Sequence, residues 1–152
     1  MPANERSINI MGSTGTNMSV IGPWVRYDSY YGYTDGFGTF QVAFDGFEGT
    51  FFIEATLSLT PTSDDYFGVV PQNIPTSSNT EFVVSEQTAT DSPTDFKSDG
   101  SVTFTDPYSG TVGYSIQGNF TFVRVRLDRS TVGDGNTYDP SYGQINRVIL
   151  ST

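Results

Sequence analysis

The sequence predicts an all-β protein: an antiparallel β-sandwich, jelly-roll-like, with an extended N-terminal arm. Three observations predict this class. Apolar and polar residues alternate in about eight to ten short segments, Gly and Pro separate these segments, and no long apolar run has helical spacing. The chain of 152 residues is expected to fold as one domain, with the arm at residues 1–16 and the sandwich at residues 17–152. A closed barrel is the alternative architecture.

The arm contains a short apolar alternation followed by a glycine-bearing segment. Ile8, Ile10 and Met11 are predicted to pair with the sheet edge of a neighbouring subunit, because such an alternation has little use in a disordered tail. A frayed terminus is the alternative. After the arm, segment 18–27 is predicted to form an edge strand or a strand in two pieces, since its Pro23 cannot donate a backbone hydrogen bond.

The stretch 40–59 carries the clearest strand pattern in the chain. Its two halves alternate strictly, and a Gly-bearing connection at residues 45–49 separates them. Glycine allows the positive φ that a turn needs, so the sequence predicts a central antiparallel hairpin here. The apolar residues of the two strands are Phe40, Val42 and Phe44, then Phe51, Ile53, Ala55, Leu57 and Leu59.

Further strands are predicted along the second half of the chain. Residues 62–65 match a capping box and predict a single helical turn. A second hairpin is predicted from segment 111–117 to segment 120–127, across the pair Gly118-Asn119. Segment 144–150 is apolar on both faces, which suits a central or covered strand. Short strands are also predicted at residues 67–70, 81–85 and 101–105, and a long polar loop at residues 86–100.

The composition excludes several classes of function. The net charge is −10 and only seven residues are basic, so binding to nucleic acid or to an anionic membrane is not expected. The chain has no cysteine and no histidine, which excludes disulfides, Ser-His-Asp and Cys-His nucleophilic sites and the usual zinc sites. The sequence shows no signal peptide and no apolar run of about 20 residues that could cross a membrane.

Acidic residues offer the remaining chemistry. Glu54 and an acid of the following turn could form the carboxylate pair of a glycoside hydrolase, or Glu54 could lie on a solvated strand face. Asp134, Asn136 and Asp139 could ligate calcium in one loop, and Asp91, Asp95 and Asp99 could do so in another, although Asp and Asn beside Gly are ordinary turn residues. The structural interpretation is favoured for all three sets, so no catalytic residue, no cofactor and no metal are expected.

Two other groups of residues are candidates for an interface. Tyr30, Tyr31 and Tyr33 lie in one loop and suit a protein interface or a sugar contact, unless they cap one end of the sandwich. Arg124 and Arg126 share one face of a predicted strand and concentrate positive charge on an acidic chain. That face suits contact between copies or with an acidic partner, unless it is simply solvated.

Several motifs carry a family resemblance. They lie at residues 30–36, 39–42, 47–50, 54–57, 60–65 and 118–125, with Leu150-Ser151 closing the last strand. In these motifs the chain resembles the small virion structural proteins of tailed bacteriophages, those of marine cyanobacterial phages above all.

The resemblance implies a non-enzymatic particle component, a capsid decoration or cement protein bound to the major capsid protein or to another virion protein. Such a protein would be a homo-oligomer, assembled in the host bacterial cytoplasm and located in the virion. A tail-fibre or baseplate-associated protein, or a glycan-binding β-sandwich module, is the alternative. The family has no defined site, so no functional residue is carried over from it.

Overall fold

Strands dominate the computed structural model of the chain, which describes residues 7–27, 36–72 and 93–151. Each strand is antiparallel to its neighbours, and all belong to one eight-stranded sheet. The all-β antiparallel class is therefore confirmed, while the sandwich, jelly-roll and barrel assignments stay predictions. The strands are β1 (Ser7–Met11), β2 (Ser19–Ile21), β3 (Val25–Arg26), β4 (Phe37–Thr56), β5 (Phe67–Gly68), β6 (Ser101–Gln117), β7 (Phe122–Asp128) and β8 (Gln144–Ser151), with a 3-10 helix at Pro140–Tyr142.

The central stretch forms one long strand, β4, and not the predicted hairpin. Buried residues occupy the even positions from 40 to 44 and the odd positions from 47 to 55, so the alternation changes phase between these two ranges. The change coincides with a shift in register against β6, where Gly46 and Gly49 have positive φ values of 60° and 144°. The glycines accommodate a bulge, which bends the strand and keeps both apolar runs on one face.

The bend brings the two halves of β4 together across one core. Phe51 lies in the second half of the strand, and its ring stacks 6.1 Å from that of Tyr114. Tyr114 is the β6 partner of Phe40, which lies in the first half. Phe44, also in the first half, makes an edge contact with Phe51 at 5.9 Å. Side chains from the two halves therefore meet in a single hydrophobic cluster.

The two ends of β4 also approach each other. The amide of Gly118 donates to the Gly36 carbonyl and the amide of Thr121 donates to the Thr56 carbonyl, each at 2.9 Å. Both donors lie in the short link between β6 and β7, so this link joins the start of β4 to its end. The sheet is therefore strongly curled, with its bulge at one end and this link at the other.

Other strands flank β4 along both edges. β6 pairs with one edge from Phe37 to Phe52, and β8 and β7 follow each other along the opposite edge. The predicted hairpin between β6 and β7 is therefore wrong, although both strands exist. The curl of the sheet explains this arrangement, because it brings the ends of β6 and β7 close without making the strands neighbours.

The described part of the predicted arm is an edge strand of the chain's own sheet. β1 pairs with β8, and Ile8 lies opposite Leu150 in this pair. Ile10 and Met11 belong to the core and are only 4% and 7% exposed. The amide of Thr14 donates to the Ile145 carbonyl at 2.9 Å, and the Thr14 hydroxyl accepts from the Ile145 amide at 3.0 Å. The apolar alternation thus pairs with β8 of its own chain and covers the edge and inner face of that strand, while pairing with a neighbouring subunit stays a prediction.

Three smaller sequence predictions have clear outcomes. The segment around Pro23 forms β2 and β3, two short strands on the free edge of β7, as the prediction of a strand in two pieces requires. Residues 62–65 form a turn and no helix, although the Asp65 carboxylate accepts from the Thr62 amide at 3.0 Å as in a capping box. β8 lies between β1 and β4, as its two apolar faces predict. The predicted strand at residues 81–85 lies outside the described residues.

Two buried tyrosines should make the stability of the fold depend on pH in the alkaline range. Tyr27 and Tyr114 are fully buried and donate their hydroxyl protons to the carbonyls of Gly36 and Pro93, at 2.7 Å and 2.6 Å. Burial raises the pKa of both phenols above the ordinary value of about 10, because the phenolate would lose its hydration. The folded state then keeps protons that the unfolded chain releases, so this contribution to stability is present below about pH 10 and is lost as the pH rises further.

We therefore expect the urea midpoint of unfolding to fall as the pH rises from about 10 to about 12. A variant carrying Tyr27→Phe and Tyr114→Phe cannot ionise at these two positions, so its midpoint should fall less steeply over the same range. Equal slopes for the two proteins would contradict a role for the buried phenols.

Candidate functional site

A buried ion-pair triad lies on the outer face of the sheet, where β4 and β7 pair. Glu54 is opposite Arg124 in the register, and Arg126 lies two residues further along the same face. The Glu54 carboxylate accepts from Nε of Arg124 at 2.8 Å and from Nε of Arg126 at 2.6 Å, through different oxygens. The side chains of Glu54, Arg124 and Arg126 are only 1%, 4% and 21% exposed, so the triad is largely removed from water.

Aromatic rings cover both guanidinium groups of the triad. The guanidinium of Arg124 lies 4.4 Å from the ring centre of Trp24 and 4.9 Å from that of Tyr66. The guanidinium of Arg126 lies 3.7 Å from the ring centre of Phe52. A cation–π contact contributes from about 0.5 kcal/mol at an exposed site to about 2 kcal/mol at a desolvated one, so the triad and the rings stabilise one another. We refer to the triad with Trp24, Phe52 and Tyr66 as the arginine–aromatic cluster.

This packing differs from what the sequence indicates for three residues. Arg124 and Arg126 are expected on a face open to an acidic partner, but Trp24 and Tyr66 lie over Arg124, and Arg126 is mostly covered. The covering residues come from distant parts of the chain, so alternation along β7 alone cannot reveal them. Both carboxylate oxygens of Glu54 are bonded to guanidinium groups, so Glu54 is not placed as the hydrolase alternative requires.

The cluster holds a projecting loop, residues 57–66, in place. The indole Nε1 of Trp24 donates to the Thr62 carbonyl at 3.2 Å, and Nη2 of Arg124 donates to the Ser63 carbonyl at 3.0 Å. The loop leaves the sheet after Thr56 and returns as β5, which pairs again with β4. Its ends are therefore joined by strand pairing, and its middle is bonded to the face of the sheet.

Large apolar side chains are exposed on this loop and just after it. Single exposed apolar residues are ordinary, whereas a group of them marks an interaction site. The ring of Phe67 lies 5.8 Å from that of Phe120, which lies 5.6 Å from Tyr27 in the core, so this surface is fixed to the core. We call the group the apolar rim: Leu57 (64% exposed), Leu59 (75%), Tyr66 (43%), Phe67 (44%) and Val70 (37%).

A polar cleft lies at the opposite end of the sheet, where β4 bends. Its volume is about 360 Å³, and it lies between the β4 bulge, the turn after β1 and the segment around the 3-10 helix. None of the described residues that line it is basic. The polar side chains that line it are those of Thr16, Asp45, Tyr138, Ser141 and Gln144.

Arg129 lies behind this cleft and is fully buried. Its guanidinium lies 5.1 Å from the ring centre of Phe47 and 5.4 Å from that of Tyr138, and Nη2 donates to the Gly143 carbonyl at 2.8 Å. Burial lowers the pKa of Arg129 from its usual value, because the charged form is poorly solvated there. Among the described residues, its Nε and Nη1 atoms have no hydrogen-bond partner. The two rings and one carbonyl therefore hold a cation in the interior.

The acidic residues considered as calcium ligands shape turns. The Asp134 carboxylate accepts from the amides of Thr137 and Asn136 at 2.8 Å and 2.9 Å, and these bonds lower its pKa. The Asp139 carboxylate accepts from the Ser141 amide at 2.9 Å, which lowers its pKa in the same way. In the part of the chain that the structure describes, no group of three or more potential acidic ligands is placed to hold a metal ion.

The remaining candidates from the sequence are Tyr30, Tyr31 and Tyr33, which lie outside the described residues and stay a prediction. Within residues 7–27, 36–72 and 93–151, no helix has the length and apolar character needed to cross a membrane. Comparison with known proteins finds no matching family model, no matching curated protein and no matching solved structure. No family assignment follows for the chain.

Proposed function

We propose that this chain is a non-enzymatic virion structural protein that decorates a capsid by binding the major capsid protein or another virion protein. The observation that supports the proposal is the apolar rim, exposed on a loop that the arginine–aromatic cluster fixes to the sheet. A surface that is rigid before binding loses little conformational entropy when a partner covers it. Tyrosine, phenylalanine and leucine side chains there would supply the buried centre of an interface.

The charge around the rim indicates which partner surface fits it. Asp64 and Asp65 are exposed in the rim loop, whereas Arg124 and Arg126 beneath it are mostly buried and paired with Glu54. The whole chain carries a charge of −10. The complementary partner is an apolar surface bordered by lysine or arginine. A second rim of this chain would bring like charges together, so the predicted homo-oligomer would use another surface.

Repetition on a particle would strengthen this contact. The rim has five residues, whereas a standard interface uses about 20–30 residues on each side, so a single copy would bind weakly. Copies held on a lattice reinforce one another, because each bound neighbour raises the local concentration of the next.

We expect the double variant Leu57→Ser, Leu59→Ser to bind capsids that lack this protein at least about tenfold more weakly than the unmodified chain, because hot-spot side chains contribute about 1–2 kcal/mol each. Both side chains are mostly exposed, so the free energy of unfolding should change by less than about 0.5 kcal/mol. Cosedimentation with purified capsids measures the binding, and urea unfolding measures the stability.

The matched control is Ile21→Ser, which removes a similar exposed side chain from β2, outside the rim. Undiminished cosedimentation of the double variant would remove the rim from the proposal. Copy number by mass spectrometry of purified particles tests the location: many copies on the head support decoration, a few on the tail favour the fibre or baseplate alternative, and absence from particles overturns the proposal.

A further inference from the structure

The polar cleft at the bend of β4 is a second candidate binding site, independent of the rim and of the particle assignment. Its volume of about 360 Å³ lies within the range of about 300–1,000 Å³ that small-molecule sites occupy. Its walls come from four parts of the chain: the turn at Gly15 and Thr16, the bulge at Asp45 and Gly46, Pro107 of β6, and the segment from Tyr138 to Gln144. A site assembled from such separate segments exists only in the folded protein.

The walls of the cleft are held rigidly. Gly143 has a φ of 63°, and a side chain there would collide with the carbonyl oxygens of Asp45 and Gly46, so its backbone lies directly on the β4 bulge. The Gly143 carbonyl accepts from the Tyr138 hydroxyl at 3.1 Å and from Arg129 at 2.8 Å. Arg129 also lies against the Tyr138 ring at 5.4 Å, so it positions both the ring and the backbone of this wall.

The chemistry of the lining side chains selects one class of ligand. Hydroxyl groups of Thr16 and Ser141, the amide of Gln144 and the carboxylate of Asp45 face the same space as the Tyr138 ring. The Gln144 Oε1 accepts from the Ser13 hydroxyl at 2.9 Å, so its NH₂ group remains for a ligand. Asp45 is the one charged side chain among the described lining residues, and no basic side chain lines the cleft to pair with an anion such as a phosphate or an acidic sugar.

We propose that this cleft binds a neutral sugar, a hexose or an N-acetylhexosamine. A carboxylate accepts hydrogen bonds from two neighbouring hydroxyls of such a ring, and these charge-assisted bonds are the strong ones. The amide and hydroxyl side chains donate and accept as sugar hydroxyls do, while the Tyr138 ring and the prolines of the cleft cover carbon–hydrogen faces. Asp45 is therefore the main specificity residue, and Arg129 is a positioning residue behind it.

The test is a titration of the ¹⁵N-labelled full chain with glucose, galactose and N-acetylglucosamine, each up to about 50 mM, followed by amide chemical shifts. Saturable shifts confined to the amides of Gly15, Gly46, Gly143 and Gln144 with at least one sugar are expected, and glucuronate should cause none. Asp45→Asn should weaken the binding about fivefold to tenfold, because a charge-assisted bond becomes a neutral one. Its matched control, Asp64→Asn in the rim loop, should bind as the unmodified chain does.

Shifts elsewhere on the sheet, shifts that rise without saturation, no shifts with any of the three sugars, or equal affinity for the Asp45→Asn variant would each overturn the proposal. A difference in folding would not confuse this result, because the dispersed amide spectrum of each variant reports its fold directly. The outcome is also separate from the capsid experiment, which depends on Leu57 and Leu59 at the other end of the sheet.

Discussion

Replacing Glu54 by glutamine is expected to lower the free energy of unfolding by about 3–5 kcal/mol, the cost of breaking a buried ion pair. The amide keeps the shape of the carboxylate but removes its charge, so Arg124 stays charged at 4% exposure without its carboxylate. Arg126, at 21% exposure, can recover part of its hydration. Urea unfolding followed by tryptophan fluorescence measures the loss, since Trp24 lies directly on Arg124.

The matched control removes all three charges together. A variant with Glu54→Met, Arg124→Met and Arg126→Met should recover much of the lost stability, because an apolar replacement leaves no uncompensated charge. A loss of less than about 1 kcal/mol for Glu54→Gln, the value of an exposed pair, would contradict the description of a buried triad. Since Arg124 also holds the Ser63 carbonyl, the Glu54→Gln variant should in addition bind capsids more weakly than the unmodified chain.

Removing residues 1–16 is expected to lower the free energy of unfolding by at least about 4 kcal/mol, a large part of the total for a typical domain. Ile10 and Met11 each fill a core position, and the loss of one such side chain costs about 2–5 kcal/mol. The deletion also removes the strand that covers the edge of β8 and the hydrogen bonds between Thr14 and Ile145. Urea unfolding followed by circular dichroism measures the change.

Removal of residues 1–6 is the matched control, because it retains every contact described for β1. We expect it to lower the free energy of unfolding by much less than the longer deletion does, because the contacts of β1 remain. If the longer deletion were equally harmless, β1 would contribute nothing to the domain, and the sequence-based hypothesis of an arm for a neighbouring subunit would regain its support.

The alternation of apolar and polar residues predicted the positions of the strands well, because it depends only on which side chains face the core. The alternations in β4 and β7, and the apolar run in β8, all locate real strands. The same pattern also contained a signal for Arg129: Val123, Val125 and Leu127 point inward, and residue 129 continues their phase. A phase argument could therefore have placed this arginine inside the protein.

The pairing of the strands and the covering of the arginine side chains could not be predicted in the same way, because both depend on residues far apart in the sequence. Glycines with positive φ occur both in tight turns and in β-bulges. The sequence around Gly46 and Gly49 therefore predicted a hairpin where the structure has a bent strand. An alternation such as Ile8 and Ile10 fits any open sheet edge, whether it belongs to this chain or to another. The covering of Arg124 by Trp24 and Tyr66 depends on a loop fold that no local rule specifies.

The length of β4 has a consequence for how this protein is made. One strand supplies side chains to both halves of the core, and its neighbours include β8, which ends the described chain and pairs in turn with β1 near the start. Closure of the sheet thus waits for pairing between β1 and β8, which lie far apart in the sequence, and such contacts form slowly. During synthesis the nascent chain cannot complete its sheet until β8 has left the ribosome.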